Sequence, residues 1–297
     1  MTKTKLRAAS RKSPLAMAQT RAVIAALKER YGFAADIVGI TAEGDTSEKP
    51  LADIGGKMLF VRALQNSISA GNADFAVHSL KDMECSVADD FVLAAVGFGE
   101  DARDVLISAS GAKWRQLPKG ARIGTCSPRR AAIALDVAPH FHIVPMRGNI
   151  GTRLKKMRGG ECDALILAAA GLHRLGLRDL ITEYLPPDVF VPASCQGLIG
   201  IECLADNDGL INTLAKLGND NATMRARAER FFAAQMNADC HTPLGAHARI
   251  EGGNIRMSVC HAFGGKLHYA SATSSTPTAA AKSAATAIRR KQQCISG

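Results

Sequence analysis

Aromatic residues are scarce in this sequence: Phe, Tyr and Trp together make up 5% of it, with a single tryptophan. Proteins that hold single-stranded nucleic acid stack bases on aromatic side chains, and this chain offers few such platforms. The residue spacings of zinc fingers and of the common RNA-binding motif are missing as well. A nucleic-acid-binding function is therefore disfavoured.

Long apolar runs and closely spaced cysteines are also lacking. No apolar run approaches the roughly 20 residues that a membrane-spanning helix needs, and residues 1–10 contain no apolar core of a signal peptide. The 8 cysteines form no C-x-x-C pair and no Cys/His group with metal-ligand spacing. We therefore expect a cytoplasmic protein with reduced, mostly buried thiols, no metal site and no membrane partner.

Positive charge, in contrast, is abundant. The chain has 37 Lys and Arg residues against 27 Asp and Glu residues, a formal net charge of +10. Its 297 residues are enough for two or three domains with a sizeable core. For a basic chain of this size and ordinary apolar content, the positive charge predicts one of two classes of partner, nucleic acid or acidic small molecules.

The positive charge is concentrated in residues 122–158, where eight Arg and Lys residues accompany one acid, Asp136. A solvated basic face is one interpretation. Two strand-to-helix turns in this stretch favour an anion-binding site instead. In the first, a strand ends at residues 123–126, and Ser127-Pro128 predicts the N-cap and first turn of a helix that Arg129 and Arg130 open.

The second turn repeats this arrangement. A strand over residues 142–146 leads into Arg147 and Gly148, and a basic helix with Arg153 follows. Gly148 and Gly151 would allow a ligand to approach the backbone closely. Free backbone N–H groups at a helix start and arginine side chains both suit a carboxylate.

Along the rest of the chain, strands and helices alternate in a way that predicts two α/β lobes. Short strands from residue 244 onwards and an alanine-rich helix from Pro277 predict a small α+β C-terminal module. Lobes of this kind usually bind ligands between them.

A buried strand over residues 74–79 delivers Ser79, Lys81 and Asp82 at its carboxyl end, where open α/β sheets keep their ligands. A carboxylate there could hold a developing cation and move protons. The alternative is a helix-capping or ion-paired Asp82. His78 is interpreted as a core histidine bonded to backbone, and Cys240 follows a long helix in a turn where a thiolate could support covalent attachment.

Taken together, the motifs resemble the porphobilinogen deaminase (hydroxymethylbilane synthase) family, in that family's order over nearly the whole chain. The matching residues are 11–16, 44–45, 50–51, 55–57, 76–82, 103–104, 124–125, 129–130, 147–153, 170–177, 192–193, 196–197, 200–202, 240 and 243–245. The resemblance implies an enzyme, a transferase, that condenses four porphobilinogen molecules into hydroxymethylbilane and releases ammonia each time. It also implies a monomer that carries a dipyrromethane cofactor on the Cys240 sulfur and binds porphobilinogen and the growing chain.

The family layout implies two periplasmic-binding-protein-like lobes, residues 1–97 with 198–216 and residues 101–192, and a small domain over residues 218–297. Asp82 would be the general acid/base and cation stabiliser. The residues implied to hold cofactor and substrate are Arg11, Ser13, Lys57, Ser79, Lys81, Thr125, Ser127, Arg129, Arg130, Arg147, Gly148, Arg153 and Arg174.

Several positions depart from the family pattern. Ala238-Asp239 stands where Gly-Gly usually precedes the cofactor cysteine, Ala63-Leu64-Gln65 lacks the usual glutamate, and Cys195 replaces the glycine before Gln-Gly. None of these removes a residue that the chemistry needs. The competing interpretation is a non-catalytic two-lobed protein that captures a small anion, which would need the basic residues but neither Asp82 nor a covalent thiol.

Overall fold

The computed structural model describes residues 5–41, 58–239 and 241–296. Within them the described residues of Met1–Gly99 and Gly197–Thr223 form one compact unit, and those of Glu100–Gln196 and Met224–Gly297 form the other. We call these the first and the second unit. The chain therefore passes between units at residues 99, 196 and 223.

The first unit is an α/β layer built on a five-stranded sheet of order β2-β1-β3-β10-β4. Its elements are β1 (Lys5–Arg11), α1 (Pro14–Tyr31), β2 (Ala34–Ile40), α2 (Met58–Ser69), β3 (Phe75–Ser79), β4 (Phe91–Gly97), β10 (Ile199–Leu204) and α6 (Asp208–Ala215). β1 is parallel to β2 and β3, whereas β10 runs antiparallel between β3 and β4. β10 thus lies in the sheet of the first unit, and the bounds implied for the first lobe, residues 1–97 with 198–216, stay a prediction.

Local sequence explains why α1 begins and ends where it does. Ser13 caps its first turn by accepting a hydrogen bond from Ala16 N, Pro14 occupies the first helical position, and Gly32 ends it with a left-handed φ of 72°. Val23 and Leu27 of this helix are fully buried against Phe75 and Val77 of β3. The apolar face of α1 therefore covers one side of the sheet that positions the site.

The second unit contains two sheets. A five-stranded sheet of order β7-β6-β8-β5-β9 and a three-stranded antiparallel sheet of order β11-β12-β13 make up its β structure. Its strands are β5 (Asp104–Ser108), β6 (Arg122–Gly124), β7 (His142–Val144), β8 (Ala164–Ala168), β9 (Glu183–Tyr184), β11 (Leu244–Glu251), β12 (Asn254–Phe263) and β13 (Lys266–Ser274). Its helices are α3 (Pro128–Val137), α4 (Ile150–Arg158), α5 (Ala169–Arg174) and α8 (Pro277–Ser296), together with most of α7 (Asp220–Gln235).

One apolar core joins the two sheets of the second unit. Trp114, Phe141 and Phe190 form edge-to-face ring pairs inside it, with ring centroids 5.2 and 5.0 Å from that of Trp114. Cys260 from β12 is buried in the same cluster, and Tyr269 from β13 packs against it. The predicted fold class, two α/β lobes and a small α+β C-terminal part, is therefore confirmed. That residues 218–297 are a separate domain stays a prediction.

Candidate active site

In the first unit, the predicted site residues lie at one edge of the sheet. Arg11 ends β1 and Ser79 ends the parallel neighbour β3, while Lys81 and Asp82 lie in the 3-10 turn Leu80–Asp82 that follows. Leu80 is buried and donates its backbone N–H to Leu198 O at 3.0 Å. Because carboxyl ends of parallel strands share an edge, the topology brings these side chains together.

A pocket of about 80 Å³ lies at this edge. Its lining residues come from β1, α1, α2, β3 and the 3-10 turn: Arg11, Ser13, Leu15, Ala16, Gln19, Phe60, Val61, Leu64, Val77, His78, Ser79 and Asp82. Of the residues predicted to hold substrate or to catalyse, Arg11, Ser13, Ser79 and Asp82 are therefore neighbours in space. The pocket thus combines apolar lining residues with a few polar groups that converge on it.

Contacts within the pocket fix several of its polar groups. The Arg11 guanidinium carbon lies 3.5 Å from the centroid of the Phe60 ring, a cation–π arrangement. Gln19 Nε2 donates to Ser79 Oγ at 2.9 Å. Sequence reasoning missed Gln19 and Phe60, because each lies in a helix pattern that reads equally well as ordinary core.

His78, one of the lining residues, has a buried carboxylate partner that the sequence did not predict. His78 Nε2 lies 3.0 Å from Glu202 Oε2, and Gln65 Nε2 donates to Glu202 Oε1 at 3.0 Å. Glu202 is fully buried and His78 is 7% exposed. The expectation that His78 bonds to backbone is wrong: its partner is a carboxylate from β10, 124 residues away in sequence.

In the second unit, the predicted arginines follow three strands whose carboxyl ends share an edge. β6 is parallel to β7 and β8, so the turns after them lie side by side. Arg129 and Arg130 follow β6, Arg147 and Arg153 follow β7, and Arg174 ends the helix after β8. Both predicted strand-to-helix turns are confirmed, with Ser127 and Asn149 as N-caps.

Arg129 and Arg130 point into the unit and not into solvent, with 4% and 7% exposure. Arg130 donates from Nε and Nη2 to Asp104 Oδ1 at 3.1 and 2.7 Å, and from Nη1 to Ile166 O. Arg129 Nη2 lies 2.8 Å from Asp104 Oδ2 as an ion pair without hydrogen-bond geometry, and its Nη1 donates to Val191 O. Their role in holding ligand carboxylates stays a prediction.

The Asp104 carboxylate sits entirely out of water between these groups. Burial by itself would raise the pKa of Asp104, but the Arg129 and Arg130 guanidinium groups beside it outweigh that effect. They hold the pKa of Asp104 well below its usual range. One carboxylate and two guanidinium groups leave an excess positive charge at this edge of the sheet.

The two turns position the remaining predicted residues. Thr125 Oγ1 accepts a hydrogen bond from Ser127 N at 3.1 Å, and Ser127 Oγ accepts one from Arg130 N. Arg153 Nε donates to Gly148 O at 2.7 Å and so closes the second turn. Gly148 has a φ of 107°, and a Cβ there would lie 2.7 Å from Thr152 Cγ2, which explains why glycine occupies it.

Arg174, the predicted arginine at the end of α5, is partly buried. Burial lowers its pKa to about 10, with the Glu100 carboxylate acting in the opposite direction. Glu100 in turn lies 2.9 Å from His173 Nδ1, and His173 Nε2 lies 2.8 Å from Tyr184 Oη. Arg174 therefore stands beside a short polar chain rather than in open solvent.

Two predicted residues, Lys57 and Cys240, lie outside the described part of the chain. The residues around position 240 are held by Asp239, whose Oδ1 accepts from His241 N at 2.9 Å and Thr242 N at 2.8 Å. Hydrogen bonding from Thr242 and these backbone groups lowers the pKa of Asp239. The aspartate that replaces the family's glycine is thus a turn-forming residue.

Comparison with known proteins decides the family. Residues 6–212 match the family model of the porphobilinogen deaminase dipyrromethane cofactor-binding domain, and residues 223–263 match that of the porphobilinogen deaminase C-terminal domain. Porphobilinogen deaminase of Clostridium beijerinckii is 42% identical over 264 residues, 89% of this chain and 90% of that protein. The Geobacillus kaustophilus enzyme is 40% identical over 281 residues, 93% of this chain and 91% of that protein. The chain belongs to the porphobilinogen deaminase family.

The chain is also similar, at low sequence identity, to several solved structures. A periplasmic substrate-binding protein of a Coxiella burnetii ABC transporter covers 76% of this chain and 96% of its own length, at 16% identity and a TM-score of 0.45. The VFT2 domain of Bordetella pertussis BvgS covers 72% and 87%, at 14% identity and a TM-score of 0.43. No helix in the described residues of this deaminase-family chain combines the length and apolar character of a bilayer span.

The residues of the second unit suit the family's dipyrromethane cofactor, whose rings carry acetate and propionate groups. The excess positive charge around Asp104 and the half-buried Arg174 are the donor chemistry that carboxylates require. A turn fixed by Asp239 flanks the position of the predicted attachment residue. The porphobilinogen deaminase cofactor therefore fits the side chains that this chain provides.

Proposed function

We propose that this chain is a transferase, of class EC 2.5.1.61, that condenses four porphobilinogen molecules into hydroxymethylbilane with loss of ammonia. The observation that carries the proposal is the pocket of the first unit, where Asp82 and Arg11 meet around a mainly apolar cavity. A protein that only captured an anion would need Arg11 but no second, acidic group beside it. For that reason the non-catalytic alternative is not favoured.

The chemistry asks for one cation-stabilising group near the substrate's aminomethyl carbon. When ammonia leaves, positive charge spreads over the pyrrole ring, and a fixed carboxylate in a partly water-free pocket stabilises it. Asp82 is the residue proposed for that role. Arg11, held over Phe60, would bind a substrate carboxylate and orient the ring.

The proposed binding residues of the second unit would hold the acidic groups of the cofactor and of the growing chain. Dipyrromethane, when bound through the Cys240 sulfur, supplies the terminal ring carbon to which the first substrate unit is joined. Arg147, Arg153 and Arg174 are proposed as direct carboxylate donors. Arg129 and Arg130 already hold Asp104. We therefore propose that they supply positive electrostatic potential and fix the start of α3, in addition to binding carboxylates through any N–H groups that remain.

The experiment is conversion of porphobilinogen by the purified chain, followed as ammonia released and hydroxymethylbilane formed. We expect four ammonia molecules for each tetrapyrrole, and Asp82→Asn should reduce kcat by about 10²- to 10⁴-fold. Asp89→Asn, a change at an exposed aspartate, is the control. Product formation by Asp82→Asn at the control rate would reject the proposed role of Asp82.

Cofactor attachment has its own measurement. Intact mass of the purified chain should exceed that of the polypeptide by one dipyrromethane unit, and the excess should be lost in Cys240→Ser but kept in Asp82→Asn. Active preparations of unmodified mass would contradict attachment at Cys240.

We propose further that the protein is a cytoplasmic monomer without a nucleic-acid partner. The free thiols among the described cysteines, such as Cys203 and Cys260, support a reducing compartment. Sedimentation at micromolar concentration should give a single species of 31.3 kDa, and a doubled mass would reject the monomer.

A further inference from the structure

His78 and Glu202 form a buried pair whose imidazole lines the same pocket as Asp82. We propose that His78 is a further catalytic residue of this pocket, a proton acceptor for the substrate, and that Glu202 orients it. The inference rests on the proposed function and adds a second proton-transfer group to it. Asp82 then stabilises positive charge, while His78 removes the proton that such charge makes acidic.

The hydrogen bonds around Glu202 set the orientation of the imidazole. Gln65 Nε2 donates to one carboxylate oxygen, and the other oxygen lies 3.0 Å from His78 Nε2. An ionised carboxylate can only accept, so Nε2 carries a hydrogen and Nδ1 is the ring nitrogen left for a bound molecule. An imidazole oriented in this way by a buried carboxylate is the arrangement found in general-base pairs.

Both partners of the pair are withdrawn from water. Glu202 is fully buried and His78 is 7% exposed, so solvent does not compete for the contact that orients the imidazole. Gln65 donates to the second carboxylate oxygen of Glu202 and holds it in place.

The backbone holds both partners on rigid elements. β3 and β10 are antiparallel, with His78 opposite Gly200 and Ala76 opposite Glu202. The two side chains are thus diagonal neighbours on one face of the sheet. Among the described residues, Glu202 from β10 contacts the imidazole, and Arg11 from β1 and Asp82 from the 3-10 turn are the charged groups that line the pocket with His78.

The bond between the aminomethyl carbon and the ammonium nitrogen of porphobilinogen breaks, and its electron pair leaves with neutral ammonia. The pyrrole ring now holds the positive charge, with its N–H bond intact. That N–H bond breaks, its electron pair stays on the ring, and the proton passes to His78 Nδ1, giving a neutral azafulvene and an imidazolium beside Glu202.

The test compares the pH dependence of kcat and kcat/KM for the cofactor-loaded wild type, His78→Gln, Glu202→Gln and the control His142→Gln, whose histidine is exposed. For His78→Gln we expect kcat to fall by about 10²- to 10⁴-fold with KM changed little, and the acid limb of the profile to disappear. For Glu202→Gln we expect kcat to fall with KM changed little, because the imidazole loses the carboxylate that orients it.

His78→Ala provides a second measurement in case a glutamine disturbs the sheet. Added imidazole should restore part of its kcat in proportion to the unprotonated imidazole present, while circular dichroism and melting temperature establish that the variant is folded. A folded His78→Gln enzyme that keeps the acid limb, whatever its rate, overturns the proposal. Failure of the wild type to make hydroxymethylbilane would instead reject the proposed function, so the two failures are distinguishable.

Discussion

Asp104 is the residue on which the arginine-rich edge of the second unit depends. Its single carboxylate holds two buried guanidinium groups and also accepts from Gln196 Nε2 at 2.9 Å. Removing one partner of such a buried set leaves a buried charge without a counter-charge. The free energy lost in this way is larger than the net free energy that the intact set contributes to stability. A substitution of the same shape therefore isolates the effect of the charge.

We expect Asp104→Asn to lower the free energy of unfolding of the second unit by about 3–5 kcal/mol. The pKa of Asp104 is depressed in the folded state, so its contribution is present above the unfolded value of about 3.9 and is lost as pH falls through the folded pKa. Urea titrations from pH 8 to pH 3 measure this. The difference from wild type should stay constant down to about pH 5 and shrink below pH 4.

Asp89→Asn, at an exposed site, is the matched control and should leave the urea midpoint in place. If Asp104→Asn unfolds at the same urea midpoint as the control, the buried set of Asp104, Arg129 and Arg130 does not stabilise the fold.

At the scale of single elements, some strand positions must be glycine because neighbouring atoms lie very close to the backbone. The β-sheet propensity of a residue does not predict such positions. Gly245 in β11 lies against the apolar core of the second unit. A Cβ at this position would be 2.7 Å from Val191 O and 2.8 Å from Cys260 Sγ. Gly209 in α6 has no such neighbour, since its nearest atom would be Asn207 Oδ1 at 3.9 Å. The same substitution should thus have opposite effects in the two elements.

Gly245→Ala should destabilise the protein by about 1–3 kcal/mol because backbone and sulfur must shift. Gly209→Ala should stabilise it by roughly 0.5 kcal/mol, since alanine gives up less chain entropy in a helix. Melting curves of both variants beside wild type measure the two effects. Equal effects of the two alanines would show that the approach at Gly245 is relaxed in solution.

The sequence predicted helix starts and ends well where a specific capping residue marks them. The Ser13-Pro14 start and Gly32 end of α1, and the Ser127-Pro128 start of α3, follow from caps that act within a few residues. The pairing of His78 with Glu202 and of Arg130 with Asp104 did not follow, because the partners lie 124 and 26 residues apart. Sequence therefore located the arginines and Asp82, but it did not tell which charges the fold itself uses.

The molecule as a whole carries a net charge of +10. Porphobilinogen, with two carboxylates and one ammonium group, is an anion at neutral pH. A positive field raises the encounter rate of an anionic substrate, and salt weakens this effect as the screening length shortens. The charge should therefore act on substrate capture and not on the chemical step.

We expect kcat/KM to fall several-fold between about 0.02 and 0.5 M salt, with kcat changed much less. Initial rates at low and saturating porphobilinogen, with two different monovalent salts, separate the two constants. A kcat/KM that is indifferent to ionic strength would mean that capture is not steered by charge.

Because β10 follows β5 to β9 in the sequence, the first sheet can be completed only after all strands of the second unit's five-stranded sheet have been synthesised. Ribosomal synthesis completes β5 to β9, and with them the whole five-stranded sheet of the second unit, before residues 199–204 emerge. β10 is an interior strand, so until then β3 and β4 present unpaired edges to each other and His78 has no carboxylate partner. During synthesis the first sheet is therefore incomplete after the strands of the second have been made, and the edge of β3 is open to pairing with a wrong strand in that interval.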